Sequence, residues 1–180
     1  MLNPLRMLAG ACTLMTSLTA TADATHGAST RTLTRMHLSK STHALTLYEG
    51  DAVVGSFRAS LGPGGPGHKK QEGDNVTPVG HYQVVSHQAS QYRVFLRLDY
   101  PNTADRARFE TAKATGALPK NAHIGGDIGI HGTPQSHEYD AERASFWGVD
   151  WTAGCIGVQD DEIDRIAAWA KDGTIIDIED

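Results

Sequence analysis

Trp151-Thr152-Ala153-Gly154-Cys155-Ile156-Gly157-Val158 places a cysteine directly after a glycine and ahead of a short apolar run. A thiol becomes a nucleophile when a base or a positive environment raises its thiolate fraction. A glycine beside it lets backbone N–H groups point into a concave site, where they can stabilise an oxyanion. An ordinary turn would explain Gly154, but not the cysteine that follows it. The base must be a histidine or a carboxylate that reaches the sulfur. Among nine histidines, His131 stands out, because it ends the apolar strand pattern Ile128-Gly129-Ile130 and precedes Gly132. A histidine at a strand end facing a pocket is well placed to be oriented by a nearby carbonyl or side chain. His37, His81, His123 and His137 have weaker claims. If His131 contacts Cys155, the thiol should titrate below the free-thiol value of about 8.5.

Around this stretch the chain reads mostly as short strands. From Leu33 to Leu38 residues alternate, and 44–61 has the form of a hairpin turning at Glu49-Gly50-Asp51. Gly62-Pro63-Gly64-Gly65-Pro66-Gly67 must be a loop, and Gly73 to Gly80 is a second turn-rich stretch. His81 to His87, Tyr92 to Leu98, Ile124 to Ile130 and Thr174 to Ile178 read as further strands. Thr103 is placed to cap a helix through Ala104–Thr115. After Val158, the acidic run Asp160-Asp161-Glu162 suits a helix first turn. Ile163, Ile166, Ala167 and Ala170 then share one helical face, with Lys171 in the last turn and Gly173 as the stop. Gln135 to Trp147 is polar without a period and reads as a long, functional surface loop. The expectation is a mainly β domain with a few helices.

The whole chain has 180 residues, a length suited to one domain with a sizeable core. Its 16 basic and 21 acidic residues give a formal net charge of −5, and no basic block exceeds Lys69-Lys70. Nucleic acid and anionic membrane surfaces are therefore poor partners. Residues 1–22 read as a secretory signal: Arg6 supplies the charge, Met7–Ala20 the apolar stretch and Ala20-Thr21-Ala22 the cleavage pattern. That stretch is too short and polar to span a membrane well. A lipoprotein reading through Cys12 lacks the expected branched apolar residue at Ala9. Residues 23–32 read as a small, polar linker, leaving 33–180 as the catalytic domain. Cleavage after Ala22 removes Cys12 and leaves Cys155 alone, with no disulfide partner. Zinc sites favour close ligand pairs; His131 and His137 are six apart without a second cysteine, so neither metal nor cofactor is expected.

These residues resemble the L,D-transpeptidase catalytic domain, also called the YkuD domain. That family's signature is His-Gly, a spacer, then Ser/Thr-x-Gly-Cys. Here it reads His131-Gly132 followed by Thr152-Ala153-Gly154-Cys155. Leu61-Gly62-Pro63 and Gly73-Asp74-Asn75-Val76-Thr77-Pro78-Val79-Gly80-His81-Tyr82 match an upstream element of the family. The similarity spans roughly Thr34 to Ile178.

The resemblance implies a β-sandwich with a central catalytic cleft, and peptidoglycan stem peptides as substrate. It makes Cys155 the nucleophile, His131 the base, the Gly132 carbonyl the orienting group, and the N–H groups of Gly154 and Cys155 oxyanion donors. It implies attack at the L-centre of the third stem residue, loss of D-alanine, and passage of the thioester to an amine of another stem or of an envelope protein. It also implies export to the periplasm or cell envelope.

Three departures stand out: Ala153 and Gly157 replace a frequent His and Arg, and 20 residues separate His131 from Thr152, more than usual. The run from Asp150 to Val158 looks closer to the YafK-like branch, as does Tyr100-Pro101-Asn102 with Asp105. Some members of that branch are hydrolases. Thr152 and Trp151 are candidate substrate contacts, and Trp147 and Trp151 candidate covers for the thioester. Three functions compete: transfer, hydrolysis by the same Cys–His core, and non-catalytic wall binding, against which the intact Cys155 and His131 argue.

Overall fold

The computed structural model describes residues 31–136 and 149–180. The signal segment, most of the linker, His137, Trp147 and most of the 135–147 loop lie outside the described residues. Alternation sets the first strands. β1 (Arg35–Ser39) buries Met36 and Leu38, and β2 (Ala44–Glu49) buries Leu45 and Leu47. β3 (Ala52–Arg58) completes the meander. There follow β4 (Gly80–Ser90), β5 (Arg93–Leu98), α1 (Thr103–Ala114), β6 (Gly129–His131), β7 (Ile156–Gly157), α2 (Asp160–Trp169) and β8 (Ile175–Glu179).

All eight strands form one ladder in the order β3-β2-β1-β8-β4-β5-β6-β7. β8 lies parallel to β1 and antiparallel to β4. β4 changes partner along its length: Gly80–Gln83 pairs with β8, and from Val84 the strand pairs with β5, with a register shift before Ser86. A strand that switches sides at a bulge turns a corner in a sheet. The sheet therefore curls, and its two halves enclose one core. Met36, Leu38, Leu47 and Ile176 come from one half, and Leu96, Leu98, Ile130 and Ile156 from the other. Ile163 and Ile166 of α2 close it. The mainly β class with a few helices expected from the sequence is the one observed, the sandwich taking the form of a curled sheet folded over its own core.

Element ends differ from the sequence reading for local reasons. Asn102, not Thr103, caps α1, because Asp105 three residues on completes a reciprocal capping box with it. α2 ends at Trp169: Ala170 turns extended, and the Lys171 N–H goes to Thr174 Oγ1 at 2.8 Å. The strand expected from Ile124 shortens to Gly129–His131, since Gly125 (φ +77) and Asp127 (φ +55) adopt left-handed backbone.

Candidate active site

β6 and β7 run parallel, with Ile130 opposite Ile156 and His131 opposite Gly157. This pairing brings the His-Gly and Gly-Cys segments to the same end of the sheet. His131 and Cys155 line one open cleft of about 470 Å³, together with Tyr92, Phe95, Arg97, Asp127 and Trp151.

His131 is 3% exposed. Its Nδ1 lies 2.7 Å from the Gly132 carbonyl oxygen. A carbonyl can only accept, so Nδ1 carries the proton and Nε2 keeps its lone pair. Three aromatic rings surround it: Tyr92 at 4.6 Å between centroids, Phe95 stacked at 5.8 Å and Trp151 edge-on at 5.5 Å. Burial pushes the His131 pKa below its ordinary value, only partly opposed by the Gly132 bond. The group is a neutral imidazole at pH 7.

Gly132 sits against α2, where a Cβ would lie 2.7 Å from Asp160 Oδ1. The same carboxylate accepts from Thr133 N–H and Thr133 Oγ1, both at 3.0 Å, and from Gln135 Nε2 at 2.9 Å. Burial acts to raise the Asp160 pKa, but these bonds outweigh it and hold the carboxyl below its ordinary range. The N-terminus of α2 thus fixes the strand exit that carries His131.

The nucleophile turn is tied internally. Thr152 is 4% exposed; its hydroxyl donates to Cys155 O at 2.8 Å and accepts from Gly154 N–H at 3.2 Å. Its own N–H reaches Leu61 O at 3.1 Å. Gly154 has φ +123, and a Cβ there would meet Val76 O at 2.8 Å, so only glycine fits. Thr77 Oγ1 bridges from Cys155 O at 3.4 Å to Gly62 N–H at 3.0 Å. The upstream Gly-Asp-x-x-Thr-Pro segment is therefore a wall of the nucleophile turn. Asp74 knots that wall by accepting from Lys69 Nζ and from the N–H groups of Lys70, Gln71 and Val76.

Cys155 is half-buried, and its thiol donates to the Asp127 carbonyl at 3.4 Å. Burial pushes the thiol up to about 11; the Gly129 backbone, Lys69 and Arg97 act downward, and Asp127 upward. The sequence led to the opposite expectation. The reason is that a buried, neutral imidazole brings no positive charge to hold a thiolate.

Two expected roles change with this geometry. Thr152 borders the cleft, but its hydroxyl is engaged inside the turn rather than offered to a ligand. The Gly154 N–H is bound to that hydroxyl, which leaves the Cys155 N–H as the oxyanion donor to consider. Trp151 stands beside the histidine, and a Cβ at Gly157 would be 3.1 Å from its ring. The indole fills space next to the position where the frequent arginine is missing.

Tyr92, Phe95, Arg97 and Asp127 were not singled out in the sequence. Phe95 and Arg97 lie on the face of β5 opposite buried Leu96 and Leu98. Their signal was alternation, which says which face but not what that face borders. Among the described residues there is no group of three or more potential metal ligands, and no helix is long and apolar enough to cross a membrane.

A curled, mainly β domain with a cysteine and a buried, carbonyl-oriented histidine in one cleft is a scaffold for acyl-transfer chemistry. The chain belongs to the L,D-transpeptidase catalytic domain family, whose model matches residues 34–178. This is an acyltransferase-type enzyme domain. No curated protein matches the sequence. Among solved structures, it is similar to the helical cell shape determining protein Pgp2 from Campylobacter jejuni, with 20% identity and a TM-score of 0.55, covering 83% of this chain and 48% of that one. A variant of the same protein gives 21% and 0.57, with the same coverage of both chains. Bd1075 from Bdellovibrio bacteriovorus gives 20% and 0.53, covering 82% of this chain and 48% of that one. These likenesses concern the fold, and the chain spans about half the length of those proteins.

Proposed function

We propose that this protein is an exported peptidoglycan L,D-transpeptidase that forms a thioester between Cys155 and a stem peptide. The observation that carries the reading is the His131 geometry: Nδ1–H fixed on Gly132 O, and both His131 and Cys155 on one cleft. Thiol and imidazole both rest neutral, so the proton moves as bond formation begins. As Sγ attacks the carbonyl at the L-centre of the third stem residue, His131 Nε2 takes the thiol proton. The Cys155 N–H faces the developing oxyanion. Collapse of the tetrahedral adduct breaks the peptide bond, and His131 returns the proton to the departing D-alanine amine. An amine of a second stem or of an envelope protein then attacks the thioester, with His131 again as base. Residues 1–22 direct export to the periplasm or cell envelope, and 33–180 form the catalytic domain.

Transfer requires the amine to compete with water at about 55 M, so positioning must supply a large effective molarity. Trp151 and Tyr92 wall the histidine side of the cleft, where apolar rings disfavour water beside the thioester. The test incubates residues 23–180 with a tetrapeptide-stem donor while an amine acceptor is varied, and reads muropeptides by mass spectrometry. Cross-linked product that rises as tripeptide falls supports transfer, with Cys155→Ala inert. Tripeptide alone at every acceptor concentration makes the protein a hydrolase that trims stems or releases envelope proteins. Full turnover by Cys155→Ala removes the thioester altogether.

A further inference from the structure

The described residues lining the cleft are aromatic, small or neutral polar, with two exceptions, Arg97 and Asp127. Arg97 stands on β5 opposite Gly129, and its guanidinium reaches over the Phe95 ring to pair with Asp127 Oδ1. The Asp127 side chain is 82% exposed, so much of its carboxylate still faces the cleft and solvent. An ion pair this open contributes little to the stability of a fold.

Its position is unusual in a second respect. Asp127 adopts φ +55, a conformation that non-glycine residues seldom take. That turn sends its carbonyl to the Cys155 thiol while its carboxylate meets Arg97. One residue therefore touches both the reacting sulfur and the charged pair. Both charges act on the sulfur, Asp127 pushing the thiol up and Arg97 pulling it down.

We propose that Arg97 and Asp127 form a subsite for a zwitterionic amino-acid centre, a carbon that bears both an ammonium and a carboxylate. The inference rests on the transpeptidase reading above. The guanidinium fork receives the carboxylate by two parallel hydrogen bonds, and the Asp127 carboxylate receives the ammonium. A ligand with only a carboxylate meets repulsion from Asp127, and one with only an ammonium meets repulsion from Arg97. The zwitterion alone satisfies both when it displaces their mutual contact. In a stem peptide such a centre ends the side chain of a diamino acid like diaminopimelate. It can arrive on the donor, next to the carbonyl under attack, or on the acceptor, whose amine attacks the thioester.

The test uses the protein without residues 1–22 and three stems, in which the third residue is diaminopimelate, its side-chain carboxamide, or lysine. Single-turnover thioester formation without acceptor reads the donor position. Transfer from a preformed thioester to each stem as acceptor reads the other. We expect diaminopimelate to be preferred roughly ten- to hundred-fold in one of these steps, the range for losing a charged hydrogen bond. That step identifies the source. Arg97→Gln and Asp127→Asn should each collapse the preference, and Arg97→Lys should keep part of it. Asparagine tolerates φ +55, so Asp127→Asn removes charge while keeping the backbone. Equal use of the three stems by the native protein, or a preference that survives both neutralising substitutions, overturns the subsite while leaving the thioester mechanism standing. No thioester with any stem overturns the proposed function, and the subsite with it.

Discussion

At the level of single residues, the site sets a buried neutral imidazole and a half-buried neutral thiol on one open cleft. His131 has a folded-state pKa below its ordinary 6.5, and Cys155 one pushed from 9.0 to about 11. The signs follow from linkage. A histidine that is harder to protonate when folded gives stability that is present above its unfolded pKa and lost as pH falls below about 6.5. A thiol that is harder to ionise when folded gives stability that is present below about 9 and lost as pH rises toward 11. We expect the urea midpoint to fall on both sides of this window, with Cys155→Ala flattening the alkaline limb. Alkylation of Cys155 by iodoacetamide should show a midpoint above that of a free thiol. A midpoint below about 8 would mean a thiolate–imidazolium pair, and the general-base step would be wrong. The motif named Cys155, His131 and Gly132 from sequence because chain order preserves it. The burial that sets their ionisation did not show there, because Phe95 meets His131 only through the pairing of β5 with β6, and Asp127 meets Cys155 across 28 residues of chain.

At the level of elements, α2 does more than cover the core. Its first residue, Asp160, holds Thr133 and Gln135 by three hydrogen bonds just beyond His131-Gly132. Asp160→Ala leaves two donors on residue 133 without that acceptor, and should destabilise the protein by about 1–3 kcal/mol. The lowered Asp160 pKa makes this contribution present above about 3.8 and lost as pH falls further. We expect a larger effect on kcat than on KM, because the imidazole loses its alignment while the cleft walls on β5 stay in place. A kcat equal to wild type in a folded Asp160→Ala protein would separate α2 from the site. The sequence already carried α2 in its acidic start and its Ile163–Ile166 face, and it carried the strands through alternation. It did not carry β7, two residues long, which exists because Ile156 and Gly157 find β6 on one side and Ser60 on the other. A two-residue strand has no period to read.

For the molecule as a whole, β8 is the joint. It pairs with β1 on one edge and with β4 on the other, and so connects the meander to the half of the sheet that bears the cleft. The alternation of Thr174–Ile178 announced a strand, but nothing local could announce its partners, which come from distant parts of the chain. Ile176 is fully buried at this joint, opposite Met36 and Tyr82. Ile176→Ala should destabilise the protein by about 2–5 kcal/mol, a transfer loss plus a cavity. The lesion lies in the joint, and Ile176 is not one of the cleft-lining residues. If the eight strands form one cooperative unit, unfolding followed by far-UV circular dichroism and by tryptophan fluorescence should shift together in a single transition. Trp151 reports the cleft, whereas Trp169 at the end of α2 meets Arg31 and Leu33 at the start of the meander. The measurement is therefore made with Trp147 and Trp169 replaced by Phe, which confines the fluorescence signal to the catalytic half. Well below the transition, thioester formation per folded molecule should match wild type, because the substitution acts on the population of the folded state. Two separated transitions, with fluorescence persisting after the circular dichroism is lost, would show that the catalytic half stands without the meander and that β8 is not the joint.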